Sequence, residues 1–281
     1  NTKNILFRVN NYILILMKGT IKILLLIFFV SCSNVPLTER KQMNLLPESQ
    51  MVAMALTSYN DFLKEHPPMV NSNSDAQMVK RVGERVKDAV VQYMRDNNLY
   101  DRIKDYKWEF NLVDSKDVNA WCMPGGKVVV YSGLLPVTKN EESLALVIGH
   151  EIAHAIARHG NERMSQQLLA ATGGLALDVA LINKPAETRQ LFNTAYGVGA
   201  NLGVLLPYSR LHETEADKLG LIFMAMAGYN PAIAPDFWKR MAAVSGNKVP
   251  EILSTHPSNE TRIHDLNKFM PTAMKYYKPR P

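Results

Sequence analysis

Cysteine is nearly absent from this chain: among 281 residues only Cys32 and Cys122 carry thiols. No disulfide framework can staple the fold, so its stability must come from a buried core, for which an apolar fraction of 47% is ample. Long uninterrupted hydrophobic runs are also missing beyond the first thirty residues. The nearest approaches, LLAATGGLALDVALINK and LFNTAYGVGANLGVLLP, are broken by Asp178, by glycines and by Asn201, which leaves segments too short to cross a bilayer. A large charge excess is lacking too, once its location is considered. The formal net charge is +6, but Lys3, Arg8, Lys18 and Lys22 precede Cys32 with no acid among them, so only +2 belongs to the rest. That balance excludes the basic surface a nucleic-acid partner requires.

The N-terminal segment has the shape of an export leader. Met17 is followed by Lys18, Lys22 and the apolar run Ile21 to Val30, and residues 1–16 read as an extension upstream of the true start. Phe29-Val30-Ser31-Cys32 resembles a lipobox, with phenylalanine where leucine is usual. Lipidation of Cys32 is therefore expected, with Ser33 favouring the outer over the inner membrane of a bacterial envelope and the chain facing the periplasm. An uncleaved membrane helix from Asn11 to Val30 is the alternative, at the cost of burying Lys18 and Lys22. Residues 1–31 form the leader in this reading, and 32–281 a single domain.

The chemistry concentrates in NEESLALVIGHEIAHAIARHG, residues 140–160. Asn140 suits an N-cap, Glu141 and Glu142 suit the positive end of a helix dipole, and Leu144, Val147, Ile148, Ile152 and Ile156 give a helical apolar spacing. On such a helix His150 and His154, four apart, project from one face and can chelate a single Zn²⁺. Glu151 stands one step round, where a carboxylate can take a proton from a metal-activated water and pass it to a leaving amine. The pattern implies hydrolysis of peptide bonds without a covalent intermediate.

Around this helix the sequence predicts a mainly helical α+β domain of zincin-like type, with a small sheet packed on the active-site helix. Met51, Met54, Ala55, Ser58, Tyr59 and Phe62 mark a helix that His66-Pro67-Pro68 stops; Met78, Val79, Val82, Val86, Val90 and Tyr93 mark a second, with Ser74 and Asp75 as caps. Trp108 to Asp114 and Lys127 to Tyr131 read as strands. An open edge at Val128, Val129, Val130 and Tyr131 would pair with an extended substrate. Cys122 is expected to be a small buried hydrophobe. Residues 161–207 read as two helices with connections that could fold over the site.

Two histidines leave a metal underligated. The metzincin extension would need Gly and His where Ala157 and Gly160 stand, so it is excluded. Glu162, Glu187, Glu213 and Glu215 remain as carboxylates downstream. On the helix that follows Pro207, Glu213, Ala216, Asp217 and Gly220 share a face of small residues and acids, which admits close approach of another helix. Asp217, one turn beyond Glu213, is placed to orient a liganding histidine. Periodicity does not choose between Glu213 and Glu215.

HEIAH followed by SRLHETEAD resembles the gluzincin family of the CAAX prenyl endopeptidase, the mitochondrial stress-activated peptidase and the bacterial periplasmic quality-control peptidases. Asn119-Ala120, Pro124-Gly125-Gly126, Gly133-Leu134-Leu135 and Val35-Pro36-Leu37-Thr38 match its pattern as well, and the likeness runs from about residue 32 to 270. The resemblance implies Glu213 as third ligand and one Zn²⁺ per chain. Misfolded or stalled envelope proteins are the implied substrates, with the membrane and the outer-membrane assembly machinery as partners. It also singles out His256 in Thr255-His256-Pro257 with Arg262-Ile263: a fourth ligand at rest, or a donor to the tetrahedral oxyanion. Arg262, Tyr208 and Arg210 are weaker candidates for stabilising the site. His66, His159, His212 and His264 are expected to be structural or solvated. A rival reading is a zinc-binding chaperone or assembly factor, self-inhibited through His256.

Overall fold

A computed structural model describes residues 32–172, 185–196, 209–243, 251–256 and 260–279. The leader, Tyr208, Pro257 and the connections 173–184 and 197–208 lie outside them. Strands β1 (Cys32–Asn34) and β2 (Lys41–Met43) form an antiparallel hairpin. Two helices follow, α1 (Glu48–Glu65) and α2 (Ser74–Asp96). The cap of α2 is Asn73 rather than Ser74 or Asp75: its side chain accepts from the amides of Asp75 and Ala76. Ser74 is thereby displaced into the first turn.

Next come β3 (Glu109–Val113), β4 (Ala120–Met123) and β5 (Lys127–Tyr131), then the short α3 (Leu135–Thr138) and α4 (Glu141–Ile156). The remaining helices are α5 (His159–Thr172), α6 (Pro185–Tyr196), α7 (Arg210–Met226), α8 (Ala234–Ala243), α9 (Glu251–Thr255) and α10 (Glu260–Ala273). The fold is mainly α with a small sheet, as the patterning predicts. Among the described residues no helix is long and apolar enough to cross a membrane.

The sheet order is β3-β5-β4, with β3 parallel and β4 antiparallel to β5. This corrects the substrate-edge expectation for Val128, Val129, Val130 and Tyr131. Their strand is central, with both backbone edges consumed by ladders and all four residues buried. Alternation explains the burial: Val128 and Val130 enter the core beneath α2, α4 and α7, while Val129 and Tyr131 join Tyr59, Phe62, Trp121 and Phe192 on the other face. A sheet covered on both faces gives an apolar run whether a strand is central or terminal. The edge beside the site is β4.

Helix α4 is buried from Ser143 to Ile156, with no solvated face, because sheet, α2 and α7 surround it. Its crossing with α7 is unusually close. A Cβ on Gly149 would stand 3.0 Å from the carbonyl oxygen of Gly220, and one on Gly220 would stand 2.9 Å from the amide nitrogen of His150. Two glycines thus let the backbones touch where the motif histidines begin.

Candidate metal centre

Capping sets the starting register of each ligand helix. The Asn140 side chain accepts from the Ser143 amide at 2.9 Å, and Ser209 accepts from the His212 amide at 3.2 Å at the start of α7. From these starts α4 supplies His150, Glu151 and His154, and α7 supplies Glu213 and Asp217. His256 follows α9, whose Ile252 amide donates to the Val118 carbonyl beside β4. Arg262 comes from α10.

His150, His154, Glu213 and His256 are all buried, and one ligand-type atom from each lies within 4.8 Å of the other three. His150 Nε2 is 3.1 Å from His154 Nε2 and 3.3 Å from His256 Nδ1. Glu213 Oε1 is 2.9 Å from His256 Nδ1 and 3.3 Å from His154 Nε2, and Oε2 is 3.4 Å from His150 Nε2. A tetrahedral zinc site with bonds near 2.0–2.1 Å has ligand-to-ligand edges of about 3.3 Å, so the donor set fits that ion in chemistry and spacing. A second observation agrees: Glu151 Oε1 is buried with no hydrogen-bond partner, a cost that a bound ion's water removes.

Charge within the cluster is uneven. Burial pushes the Glu213 carboxyl up, but positive charge at His256 and Arg262 and hydrogen bonds from His150 and His154 outweigh it and hold the group well below the usual carboxylate range. Burial keeps His154 well below its ordinary value, hence neutral with a lone pair to give. Burial also depresses His150, yet hydrogen bonds to Asp217 and Glu213 more than offset it and lift the ring to about 9. Glu151 is raised by burial, the direction a proton-carrying group needs.

Asp217 Oδ1 lies 3.0 Å from His150 Nδ1, the position from which a carboxylate fixes ring orientation. Arg262 grips Asp217 at 2.8 and 2.7 Å, reaches Glu213 Oε2 at 3.1 Å and lies 3.5 Å over the Trp238 ring. Arg262 is more central than its weak sequence signal implies, since nothing in local spacing shows that α10 packs against α7. Arg210 is exposed in the first turn of α7, so it is not part of this cluster. His66 stacks on Phe62 and His264 is exposed; the side chain of Glu187 lies outside the described residues.

Glu215 is drawn away from the histidine triad. It meets His159 at 3.1 Å, Thr38 at 2.7 Å and Arg40 at 2.9 Å. Beside the cluster, Asn119, Ala120, Trp121 and Cys122 line a narrow pocket with Glu151 and His256, so the edge strand β4 forms its wall. Cys122 is buried, and burial raises its thiol well above the ordinary value. The backbone of Cys32 opens β1, and its side chain lies outside the described residues.

Fold and site together are those of a zinc-dependent metallopeptidase. The chain belongs to peptidase family M48, whose profile matches residues 80–270. It is 33% identical over 250 residues to the mitochondrial metalloendopeptidase OMA1 of Schizosaccharomyces pombe, covering 88% of this chain and 68% of that protein. The OMA1 metalloendopeptidase of Bos taurus is 30% identical over 277 residues, 95% of this chain and 52% of its own. The beta-barrel assembly-enhancing protease of Escherichia coli is 31% identical over 165 residues, covering 56% and 33%. The chain therefore spans about half to two thirds of the OMA1 relatives named here.

These comparisons overturn the expected bacterial-envelope location. The relatives matched along nearly all of the chain are mitochondrial, whereas the bacterial protein matches little more than half of it. A leader-like segment with two lysines does not by itself name a membrane.

Proposed function

We propose that the chain cleaves internal peptide bonds of misfolded proteins, with His150, His154 and Glu213 holding zinc and Glu151 moving the proton. The observation that carries this reading is the convergence of His150, His154 and Glu213 with His256 in one buried cluster, of which His154 and His256 line, together with Glu151, a pocket walled by β4. Zinc in that set supplies Lewis acidity that activates water and polarises a carbonyl at neutral pH. Glu151 takes the proton from the attacking water and returns it to the leaving nitrogen. Asp217 holds the His150 ring, and Arg262 offsets the negative charge of Glu213 and Asp217.

An extended chain laid along β4, near Ala120 to Met123, would align through main-chain hydrogen bonds, which demand little of its sequence. That tolerance suits unfolded polypeptide as substrate. A mitochondrial setting, in keeping with the relatives matched along most of the chain, replaces the envelope. The lipid anchor at Cys32, read from the lipobox-like segment, and the outer-membrane partner, implied by the family resemblance, are not part of this proposal.

The position of His256, 3.6 Å from Glu151 through Nε2 and 2.9 Å from Glu213 through Nδ1, favours a resting state in which its ring takes the fourth place. Glu151→Gln is the direct test. It is expected to keep stoichiometric zinc while cleavage of an unfolded protein falls by at least about 100-fold. Equal cleavage by both forms would overturn the mechanism. If neither form cleaves and both suppress aggregation, the chaperone reading stands instead.

A further inference from the structure

The two motif histidines are supported differently. His150 Nδ1 faces a carboxylate, Asp217. His154 Nδ1 faces another imidazole, His159 Nδ1, at 2.9 Å. The His154 Nε2 atom is turned into the ligand cluster, 3.1 Å from His150 Nε2; as a metal ligand it would leave its hydrogen on Nδ1. His159 Nδ1 is then the acceptor, and its other nitrogen, 3.1 Å from Glu215 Oε2, is the donor to that carboxylate. With His154 as a metal ligand and His159 neutral, this order of protons satisfies both contacts.

Glu215 is itself fixed from the N-terminal hairpin. Thr38 Oγ1 donates to Oε1 at 2.7 Å, and Arg40 donates through Nε at 2.9 Å and a terminal nitrogen at 3.0 Å. The same guanidinium forks onto Glu162 at 2.9 and 2.8 Å, and Glu162 accepts from His212 Nε2 at 2.9 Å. His212 stacks on His159 with ring centroids 4.4 Å apart. His159 is thus held at its donor edge and along its face.

The backbone carrying Thr38 and Arg40 is strained to aim them. Leu37 and Glu39 adopt φ of 71° and 53°, left-handed values that non-glycine residues seldom take. The turn is closed by the Val35 amide on the Arg40 carbonyl at 2.8 Å and the Glu39 amide on the Val35 carbonyl at 2.9 Å. Arg158, with φ of 58°, makes the break after α4 that brings His159 back beside His154. Neither Thr38 nor Arg40 lies within residues 80–270, where the family profile matches.

We propose that His159 is the positioning residue for His154, and that Thr38 and Arg40 act through Glu215 to hold it, which makes the N-terminal hairpin a structural part of the metal centre. The inference rests on the reading of His154 as a zinc ligand. Replacing an outer partner of a liganding histidine weakens metal binding by about 10- to 100-fold.

The experiment compares the full chain with His159→Leu, His159→Gln, Arg40→Met and Thr38→Val. Zinc affinity is read by competition with a chelator, and the rise in Tm on adding zinc is read for each. His159→Leu is expected to bind zinc about 10- to 100-fold more weakly and to lose much of that rise. His159→Gln, whose amide offers both an acceptor and a donor, is expected to recover most of it. Arg40→Met and Thr38→Val should weaken zinc several-fold. A purely structural role would lower the Tm of zinc-free and zinc-loaded protein alike and leave affinity unchanged; that result overturns the proposal. So does a His159→Gln variant as weak as His159→Leu. Should His159→Leu fail to fold, Arg40→Met decides: weakened zinc supports the support chain and unchanged zinc removes it. A wild-type chain that takes up no zinc would overturn the ligand assignment and this inference with it.

Discussion

Burying Glu213 among three imidazoles is tolerable only because each of its neighbours can share positive charge or a metal ion with it. Arg262 supplies part of that charge, and His256 supplies a ring on the open side. Removing the ring should unblock the site: His256→Ala is expected to raise basal cleavage of an unfolded protein several-fold, read as initial rates at matched zinc loading. A fall in rate would make His256 an oxyanion donor instead, and no change would leave it without a role. At this scale the sequence showed His150, Glu151 and His154 by their spacing, but helical spacing did not choose between Glu213 and Glu215, and only the family resemblance pointed to Glu213. The two are nearly opposite on a helix, and only the packing of α7 says which side meets α4. Glu213 faces the histidines, and Glu215 faces His159, Arg40 and Thr38.

The crossing of α4 on α7 is the element on which ligand geometry depends. Small residues on the α7 face were visible in the sequence; their partner Gly149, one residue before His150, gives the contact its closeness. A methyl on Gly220 has backbone rather than a flexible side chain in its way. Gly220→Ala is therefore expected to cost about 1–3 kcal/mol in denaturant unfolding. Because the strain separates His150 from Glu213, zinc affinity should fall in the same variant. A loss of stability with zinc affinity intact would show that the crossing tolerates displacement. The sheet teaches the opposite lesson about legibility. Lys127 to Tyr131 was readable as a strand, but its central place was not, since β4 contains only Ala120 to Met123 and lacks a polar alternation to announce it.

Taken whole, the molecule ties its N-terminal hairpin to its helical body through buried carboxylates, and that makes its stability acid-sensitive. Burial raises Glu162, but hydrogen bonds from His212 and Arg40 outweigh this and bring it from 4.5 to about 2. A carboxyl depressed on folding contributes stability that is fully present above its unfolded pKa of 4.5 and is lost as pH falls toward 2. In the presence of chelator, so that metal loss does not contribute, Tm is expected to drop across that window. Glu162→Gln should start lower at pH 7 and show a shallower drop. Parallel curves for the two proteins would mean that Glu162 does not carry the linkage.

By itself the sequence determined whatever follows from spacing along one element: two histidines on one helical face, the Asn140 cap and the apolar stripes of α1 and α2. Covalent geometry sets those periods, so no partner is needed to read them. Beyond what periodicity could say, tertiary structure decided which carboxylate faces the histidines, which strand borders the pocket, and that His159 is paired with His154. Each of these depends on how close two helices pack or on a left-handed turn at a non-glycine residue such as Arg158. Neither leaves a period in the chain.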